Sequence, residues 1–423
     1  MALTFGFGIA DITPDHPTHL FGFAPRRGKS TGAHEPLQAR CLLLAAGGKR
    51  IALVALDLGG VPAELEAMLA GRLPEDVEVI ACATHTHSGP QVLSHVWYAP
   101  VSPDYLRQLA DRVAECIRTA ISAAVHRAEI ALVRAPTRGI AHNRREADGP
   151  VDHDATVLAL VWEGAISALW VNFPCHPVTI GQHNTRFSAD FPGYARAMLE
   201  KTLGVPVLYT TGCAGQINLG HKPSDSIRGL NQHLRSREQA EKIGHALAEA
   251  ILVRLDAGLG TSQPVEQLRY RHLSWPACYA VPDPAACDRL RQQAEAVLAD
   301  AQSYLGERTT AEIDLSWLET PHWGGSHHVG VLEIGAIKCV FLSDEIFVET
   351  AQALPADICV SYAYSNLGYV IPADKEGEGG YEVEAAWRVY GAPGPFAPGT
   401  GRRMQEAARM LLEEMQAMPG SPA

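Results

Sequence analysis

A chain of 423 residues, 47% hydrophobic and 19% charged, is long enough to bury a large core and has the balance of an ordinary soluble, enzyme-sized protein. Its formal charge of −12, with no Lys/Arg cluster, argues against nucleic acid and anionic membrane surfaces as partners, and no apolar stretch is long enough for stable membrane insertion. Nine cysteines without tight spacing, and an N-terminus with neither a basic start nor an apolar core, fit a cytoplasmic protein with reduced thiols; a mature chain cut from a secreted precursor would begin the same way.

Strand-like runs and amphipathic helices alternate along the chain. Residues 49–56 and 77–82 read as strands flanking a short helix over 63–73. From Asp104 onward, Leu106, Leu109, Val113, Ile117 and Ile121 fall on one face of a helix. Apolar runs at 130–133, 156–162, 168–173 and 205–209 follow, then helices over 237–255 and 282–304. Strands at 330–334, 338–342 and 358–364 precede a last helix over 402–415. The mixture predicts an α/β protein with mixed β-sheets packed between α-helices. Residues 1–423 are expected to form a single domain, with 256–264 as the best candidate for an internal seam. The stretch 377–401, dense in Gly and Pro, reads either as an active-site loop or as an irregular surface loop.

The most informative stretch is Ala83-Thr-His85-Thr-His87-Ser-Gly-Pro90, directly after the run at 77–82. Histidines at i and i+2 on a strand's continuation point to the same side, and Ser-Gly-Pro then turns the chain away. Such a pair can bind a transition metal, move protons, or make a hydrogen-bonded corner. Three further residues stand just past an apolar run in the same way: His176 after 168–173, Glu345 after 338–342 and Tyr369 after 358–364. The carboxyl ends of strands are where open α/β sheets build their sites. Two neutral imidazoles and a carboxylate are a three-ligand set for catalytic zinc that leaves a position for water. None of these local sequences is by itself a zinc motif.

Other residues compete for attention. Cys213, in a Gly-rich turn after 205–209, is a candidate thiol nucleophile paired with a nearby histidine, against the more ordinary reading of a buried inert thiol. Cys175 reads as packing. His322, His327 and His328 form either a second metal site or a polar loop. Asp57 and Asp190 read as hydrogen-bond partners of a ligand histidine or as caps.

Several blocks recur in one order: Gly8-Ile-Ala-Asp-Ile-Thr-Pro14, Gly32-Ala-His-Glu-Pro-Leu-Gln-Ala-Arg40, the 83–90 stretch, Asn143-Arg144, Phe173-Pro-Cys-His-Pro177, Ser188-Ala-Asp-Phe-Pro-Gly193 and Gly368-Tyr-Val370. In these the chain resembles the neutral/alkaline ceramidases and their bacterial relatives, from the N-terminus to about Glu382. The resemblance implies the catalytic-domain fold of that family and a Zn2+ site in which His85 and His176 match the histidine ligands, Glu345 the glutamate and Tyr369 the tyrosine. It also implies that His87, Arg144 and Tyr381 face the reacting amide of the substrate. His87 can shuttle a proton near neutral pH. Arg144 stays charged and suits charge stabilisation or anchoring, the Asn-Arg register favouring it over Arg145. Tyr381 can donate a hydrogen bond to a developing oxyanion.

Two departures qualify the match in detail. Asp344-Glu345-Ile-Phe stands where the family shows Gly-Glu-Pro-Phe, and Asn218 takes the place of a serine close to the zinc water, which makes direct attack by metal-activated water the simpler route. Neither an immunoglobulin-like C-terminal domain of the long ceramidases nor a secretion signal is expected from these residues, so a smaller soluble amide is the expected substrate rather than a sphingolipid. The expectation is a zinc-dependent hydrolase of an amide bond in a small or N-acylated molecule. Alternatives are an esterase or lactonase on the same zinc, a thiol amidase built on Cys213, and a non-catalytic relative that holds metal and a ligand.

Overall fold

Three β-sheets each turn one face to a shared apolar core and carry helices on the other. The structure is a computed structural model describing residues 2–124, 126–228, 235–320 and 324–417; His322 lies outside them. The first sheet runs Val77–Ala83, Lys49–Leu56, Gln38–Ala46, Thr4–Asp11, His126–Arg127. The second runs Val207–Thr211, Ala165–Phe173, Asp154–Trp162, Glu129–Pro136, Gln263–Pro264, and the third Leu268–Pro276, Ser326–Ile334, Ile337–Leu342, Ile358–Val360. The mixed α/β class expected from the sequence is the class observed.

Alternation along the strands explains the layering. In the first sheet Leu42, Leu44, Ile51, Leu53, Ile80 and Cys82 face inward, meeting Leu158, Leu160 and Trp170 of the second sheet and Leu332, Ile334 and Phe341 of the third. Trp170 stacks on Phe341, with ring centroids 6.0 Å apart. The opposite face of the first sheet, with Cys41, Leu43 and Val54, packs on helix Pro103–Ser122. Both faces are buried, so the strands read as continuous apolar runs. Helices Asp190–Leu203 and Arg237–Asp256 cover the second sheet, and helix Thr400–Gln416 covers the third.

Helix Pro103–Ser122 starts where Ser102 accepts a hydrogen bond from the Tyr105 N–H and Pro103 occupies the first turn. Its stripe buries Leu109, Val113 and Ile117, with Leu106 and Ile121 partly buried beside them. Gly6 and Gly8 let it lie directly on strand Thr4–Asp11: a Cβ at either would sit 2.0 Å from the Ala120 or Cys116 carbonyl oxygen.

Two expected elements differ. The helix expected over 282–304 is Pro284–Ala299, capped by Asp283, and a separate helix Leu305–Glu319 follows. The strand expected over 358–364 stops at Val360, because Tyr362 and Tyr364 take positive φ angles of 59° and 63°. The stretch 256–264 ends as an edge strand, Gln263–Pro264 pairing with Glu129 and Ile130. Among the described residues no helix is long and apolar enough to cross a membrane.

Each sheet holds one parallel pair, at one edge: Lys49–Leu56 with Val77–Ala83, Ala165–Phe173 with Val207–Thr211, and Ile337–Leu342 with Ile358–Val360. The carboxyl ends of these pairs meet.

Candidate metal centre

Each parallel pair sends one polar side chain to the meeting point, and in two of the three a carbonyl past the neighbouring strand holds it. His85 leaves Val77–Ala83, and its Nδ1 lies 2.5 Å from the Gly59 carbonyl oxygen, just past Lys49–Leu56. His176 follows Ala165–Phe173, with Nδ1 2.6 Å from the Ala214 carbonyl, past Val207–Thr211. Glu345 follows Ile337–Leu342 and lies in a short parallel ladder opposite Tyr369. Its Oε1 accepts a hydrogen bond from the Tyr390 hydroxyl. Tyr362 stacks on His85, centroids 4.0 Å apart.

A carbonyl oxygen only accepts, so both Nδ1 atoms carry the proton and both Nε2 atoms present lone pairs. Those Nε2 atoms are 3.2 Å apart. Glu345 Oε2 is 2.9 Å from His176 Nε2 and 3.4 Å from His85 Nε2, and it has no hydrogen-bond donor of its own. His87 brings its Nε2 to 3.3 Å from that of His85. Burial holds the His176 imidazole at about 4 and pushes His87 well below its ordinary range. Burial opposes ionisation of Glu345, but the histidines outweigh it and keep the carboxyl well below the usual carboxylate range. The two Nε2 atoms and the Glu345 carboxylate therefore converge on one point. A cation satisfies that arrangement, and donors at about 2.0–2.1 Å from a tetrahedral zinc would lie about 3.3–3.4 Å apart, near the separations found.

The expectation that His85 and His87 share a side is met through a turn rather than a pleat. The strand ends at Ala83, and His85 takes a φ of 65°. His87 then reaches the centre from the side of a cavity whose wall includes Phe23, Arg144, Asn218, Tyr369 and Tyr381. Phe21 and Phe23 present ring edges to it.

Arg144 donates from Nε to Glu382 (2.9 Å) and from Nη2 to the Gly215 carbonyl (2.8 Å) and the Tyr369 hydroxyl (3.0 Å). Arg145 holds the other oxygen of Glu382 at 2.8 Å and sits over Phe347, so Arg144 is the one that faces the cavity. The Tyr369 ring runs near-parallel to His176, centroids 6.4 Å apart. Tyr381 opens a short helix, Tyr381–Glu384, and meets Tyr369 edge to face at 6.0 Å. The stretch 377–401 thus contributes cavity wall, through Tyr381 and Val389. Asn218 donates to the His221 carbonyl and accepts from the Gly220 N–H, which commits its amide to a turn at the cavity edge.

Other candidates go elsewhere. Asp57 binds Arg196 through both oxygens at 2.7 Å and caps Gln38, and Asp190 accepts from the Ile180 and Phe191 N–H groups; neither touches a histidine of the cluster. Cys213 is packed among Val340, Ile346 and Trp275, where burial pushes its thiol well up, and Cys175 is likewise buried with a raised thiol. His327 and His328, successive on one strand, part to opposite faces: His327 to Asp344 at 2.7 Å and His328 to His272 at 3.1 Å. Tyr390 and Gly22 were not legible as site residues. Tyr390 sits in the Gly/Pro-rich stretch with no spacing signal, and Gly22 matters only through its contact with His87.

The family profile of neutral/alkaline non-lysosomal ceramidase, N-terminal, matches residues 3–211, a span that contains His85, His87, Arg144 and His176. A neutral ceramidase of Pseudomonas aeruginosa is 28% identical over 301 residues, covering 60% of this chain and 43% of that protein. The N-terminal half of the chain is thus similar to the neutral/alkaline ceramidases, as its sequence blocks resemble them. The chain spans less than half the length of that curated relative. The crystal structure of the neutral ceramidase from Pseudomonas aeruginosa superposes with a TM-score of 0.73 at 18% identity, over 98% of this chain and 75% of that one. A ceramidase complexed with C2 superposes at 0.74, also at 18% identity, over 100% and 77%. The ceramidase fold is thus shared across the whole described chain, including the region of Glu345, Tyr369 and Tyr381 beyond the profile match.

Proposed function

We propose that this ceramidase-like chain is a zinc-dependent hydrolase that cleaves the carbon–nitrogen amide bond of a small or N-acylated substrate. The observation that carries the reading is the convergence of the His85 and His176 lone pairs with the Glu345 carboxylate, with every donor proton turned away. Tyr369, opposite Glu345 in the ladder, is the fourth candidate ligand. A bound zinc ion supplies a Lewis acid and lowers the pKa of water toward neutrality.

The chain's own groups do the rest. His87 is neutral through burial and enters as a proton acceptor beside the centre. Arg144, whose guanidinium is kept charged by Glu382 and Tyr369 against burial, stabilises negative charge on the carbonyl oxygen. Tyr381 keeps its proton, because burial raises its hydroxyl, and donates it as a hydrogen bond. We place the activity in a reducing, cytoplasmic compartment: all nine cysteines stand as free thiols.

The test is elemental analysis of purified wild type and His176→Ala, alongside hydrolysis of short- and long-chain N-acyl amides. About one zinc per chain is expected in wild type, lost in the variant together with activity. Metal-free wild type that still cleaves amides overturns the reading.

A further inference from the structure

The wall of the cavity beside His87 carries a positive charge that the proposed reaction does not use. Among the described residues four arginines are at most 8% exposed. Arg40 is paired with Glu200 and Arg196 with Asp57. The other two, Arg26 and Arg235, make no ion pair among the described residues, and both lie over the ring of Phe23, at 4.8 and 5.1 Å from its centroid. Arg26 gives its N–H groups to the carbonyls of Phe21, His87, Gly181 and Gln182.

Arg235 differs, because it lines the cavity itself. It donates to Ser226 Oγ at 2.6 Å and to the Val178 carbonyl at 3.1 Å, while its buried Nε has no acceptor. Burial lowers its pKa to about 10, and Asp190 and Asp225 oppose that only in part; their oxygens serve the backbone N–H groups of Ile180, Phe191 and Lys222. A buried charge without a counter-charge is costly unless a ligand supplies one.

The cavity is poor in other sources of negative charge. Among the described residues its wall includes His221, Lys222, Arg144 and Arg235 but no Asp or Glu. Residues 227–234 contain no acidic residue in sequence. In a chain of net charge −12 this is a local inversion of sign. Arg144 does not account for it, since Glu382 neutralises that guanidinium. His221 feels the same field: burial first, and the charge of Arg235 next, hold its imidazole at about 4, and its Nε2 has no partner.

We infer that the cavity seats a carboxylate of the substrate against Arg235, so that the substrate class is a carboxylate-bearing amide rather than a neutral one. The inference rests on the amide-hydrolase reading above. A carboxylate seated against the face that this guanidinium turns to the cavity makes a charge-assisted contact and supplies the missing counter-charge. The guanidinium is already fixed by two hydrogen bonds and by Phe23, so little freedom is lost on binding. The carboxylate can belong to the amine half or to the acyl half of the amide.

Two matched pairs separate these sources: N-hexanoylglycine against N-hexanoylethanolamine, and N-hexylsuccinamic acid against N-hexylbutanamide. With the metal-loaded wild type, at least one charged member is expected to exceed its neutral match by about tenfold or more in kcat/KM. The pair that shows the preference identifies the half that carries the charge. The charged-to-neutral ratio is expected to collapse in Arg235→Met and to survive in part in Arg235→Lys, with circular dichroism and melting used to confirm that both variants fold. A wild type with no preference in either pair, or a ratio untouched in folded Arg235→Met, overturns the inference. If no amide is turned over, the hydrolase reading fails on its own, and calorimetric titration with the two charged compounds still decides the anion site. Binding of either about tenfold weaker in Arg235→Met than in wild type upholds it; equal binding, or none, sinks it.

Discussion

Backbone carbonyls rather than carboxylates fix the tautomers of His85 and His176, and this separates what the sequence could show from what it could not. A histidine just past an apolar strand is legible, and so is a carboxylate in the same place. The acceptor that turns a ring so that its lone pair faces a metal is a carbonyl, which has no sequence signature; Asp57, the legible candidate, is occupied by Arg196. Tyr390 is a further hidden partner, since only tertiary contact places its hydroxyl on Glu345 Oε1. Tyr390→Phe strands that oxygen without a donor and loosens the carboxylate. Zinc affinity should fall by about 10–100-fold, measured by competition with a calibrated chelator; an unchanged affinity would show that the hydroxyl does not orient Glu345. Gly22 acts through space alone. At its φ of 109°, a Cβ would lie 2.5 Å from the Cβ and Cγ of His87. Gly22→Ala should therefore displace His87, cut amide hydrolysis by tenfold or more, and cost about 1–3 kcal/mol in a melting experiment. Native-like activity in that variant would remove His87 from the proton-transfer role.

Strands that follow β-branched runs, such as Lys49–Leu56 and Val77–Ala83, are legible as elements, and their carboxyl ends mark the site. Gln38–Ala46 carries no β-branched residue, and Thr4–Asp11 is broken by Gly6 and Gly8, so both read weakly although each is central to the first sheet. Asp190–Leu203 opens on Asp-Phe-Pro-Gly, which imitates a turn. The 377–401 stretch is held to the body at Glu382, which binds Arg144 through one oxygen and Arg145 through the other. Burial pushes the Glu382 carboxyl up, but the two arginines pull harder and leave it below the ordinary value of 4.5. A carboxylate depressed in the folded state contributes stability that is complete above its unfolded pKa and lost as pH falls through the folded one. Amide protection factors across 379–389, corrected for the intrinsic pH dependence of exchange, should accordingly fall on acidification below about pH 4.5 in wild type. Glu382→Gln should lower protection at every pH, lose this acid dependence, and cost about 3 kcal/mol, since it removes the carboxylate shared by two partly buried guanidiniums. Acid dependence that persists in the variant would place the titrating group elsewhere.

At the scale of the whole molecule, the shared core decides how the chain unfolds. Leu3, near the N-terminus, and Ala363 belong to one apolar cluster that draws on all three sheets, and Val265, immediately beyond the candidate seam, is buried in it. The Leu3 N–H also donates to the Val265 carbonyl at 2.8 Å, tying the first strand's approach to the seam. A seam stitched into the core by both backbone and side chain cannot open without exposing all three sheets, so we propose that residues 1–423 act as a single cooperative domain. Trp170 is the sharpest probe, because it stacks on Phe341 across two sheets and donates its indole N–H to Thr210 at 2.8 Å. Trp170→Ala should cost about 3–5 kcal/mol. If the three sheets are one unit, the loss appears as one transition moved to lower temperature, with calorimetric and van't Hoff enthalpies still equal and with far-ultraviolet and fluorescence melts still coincident. A transition that splits in two, with one half at the wild-type temperature, would show that one sheet folds independently of the others. The candidate metal centre would then sit at a junction between units, because His85, His176 and Glu345 each follow a strand of a different sheet.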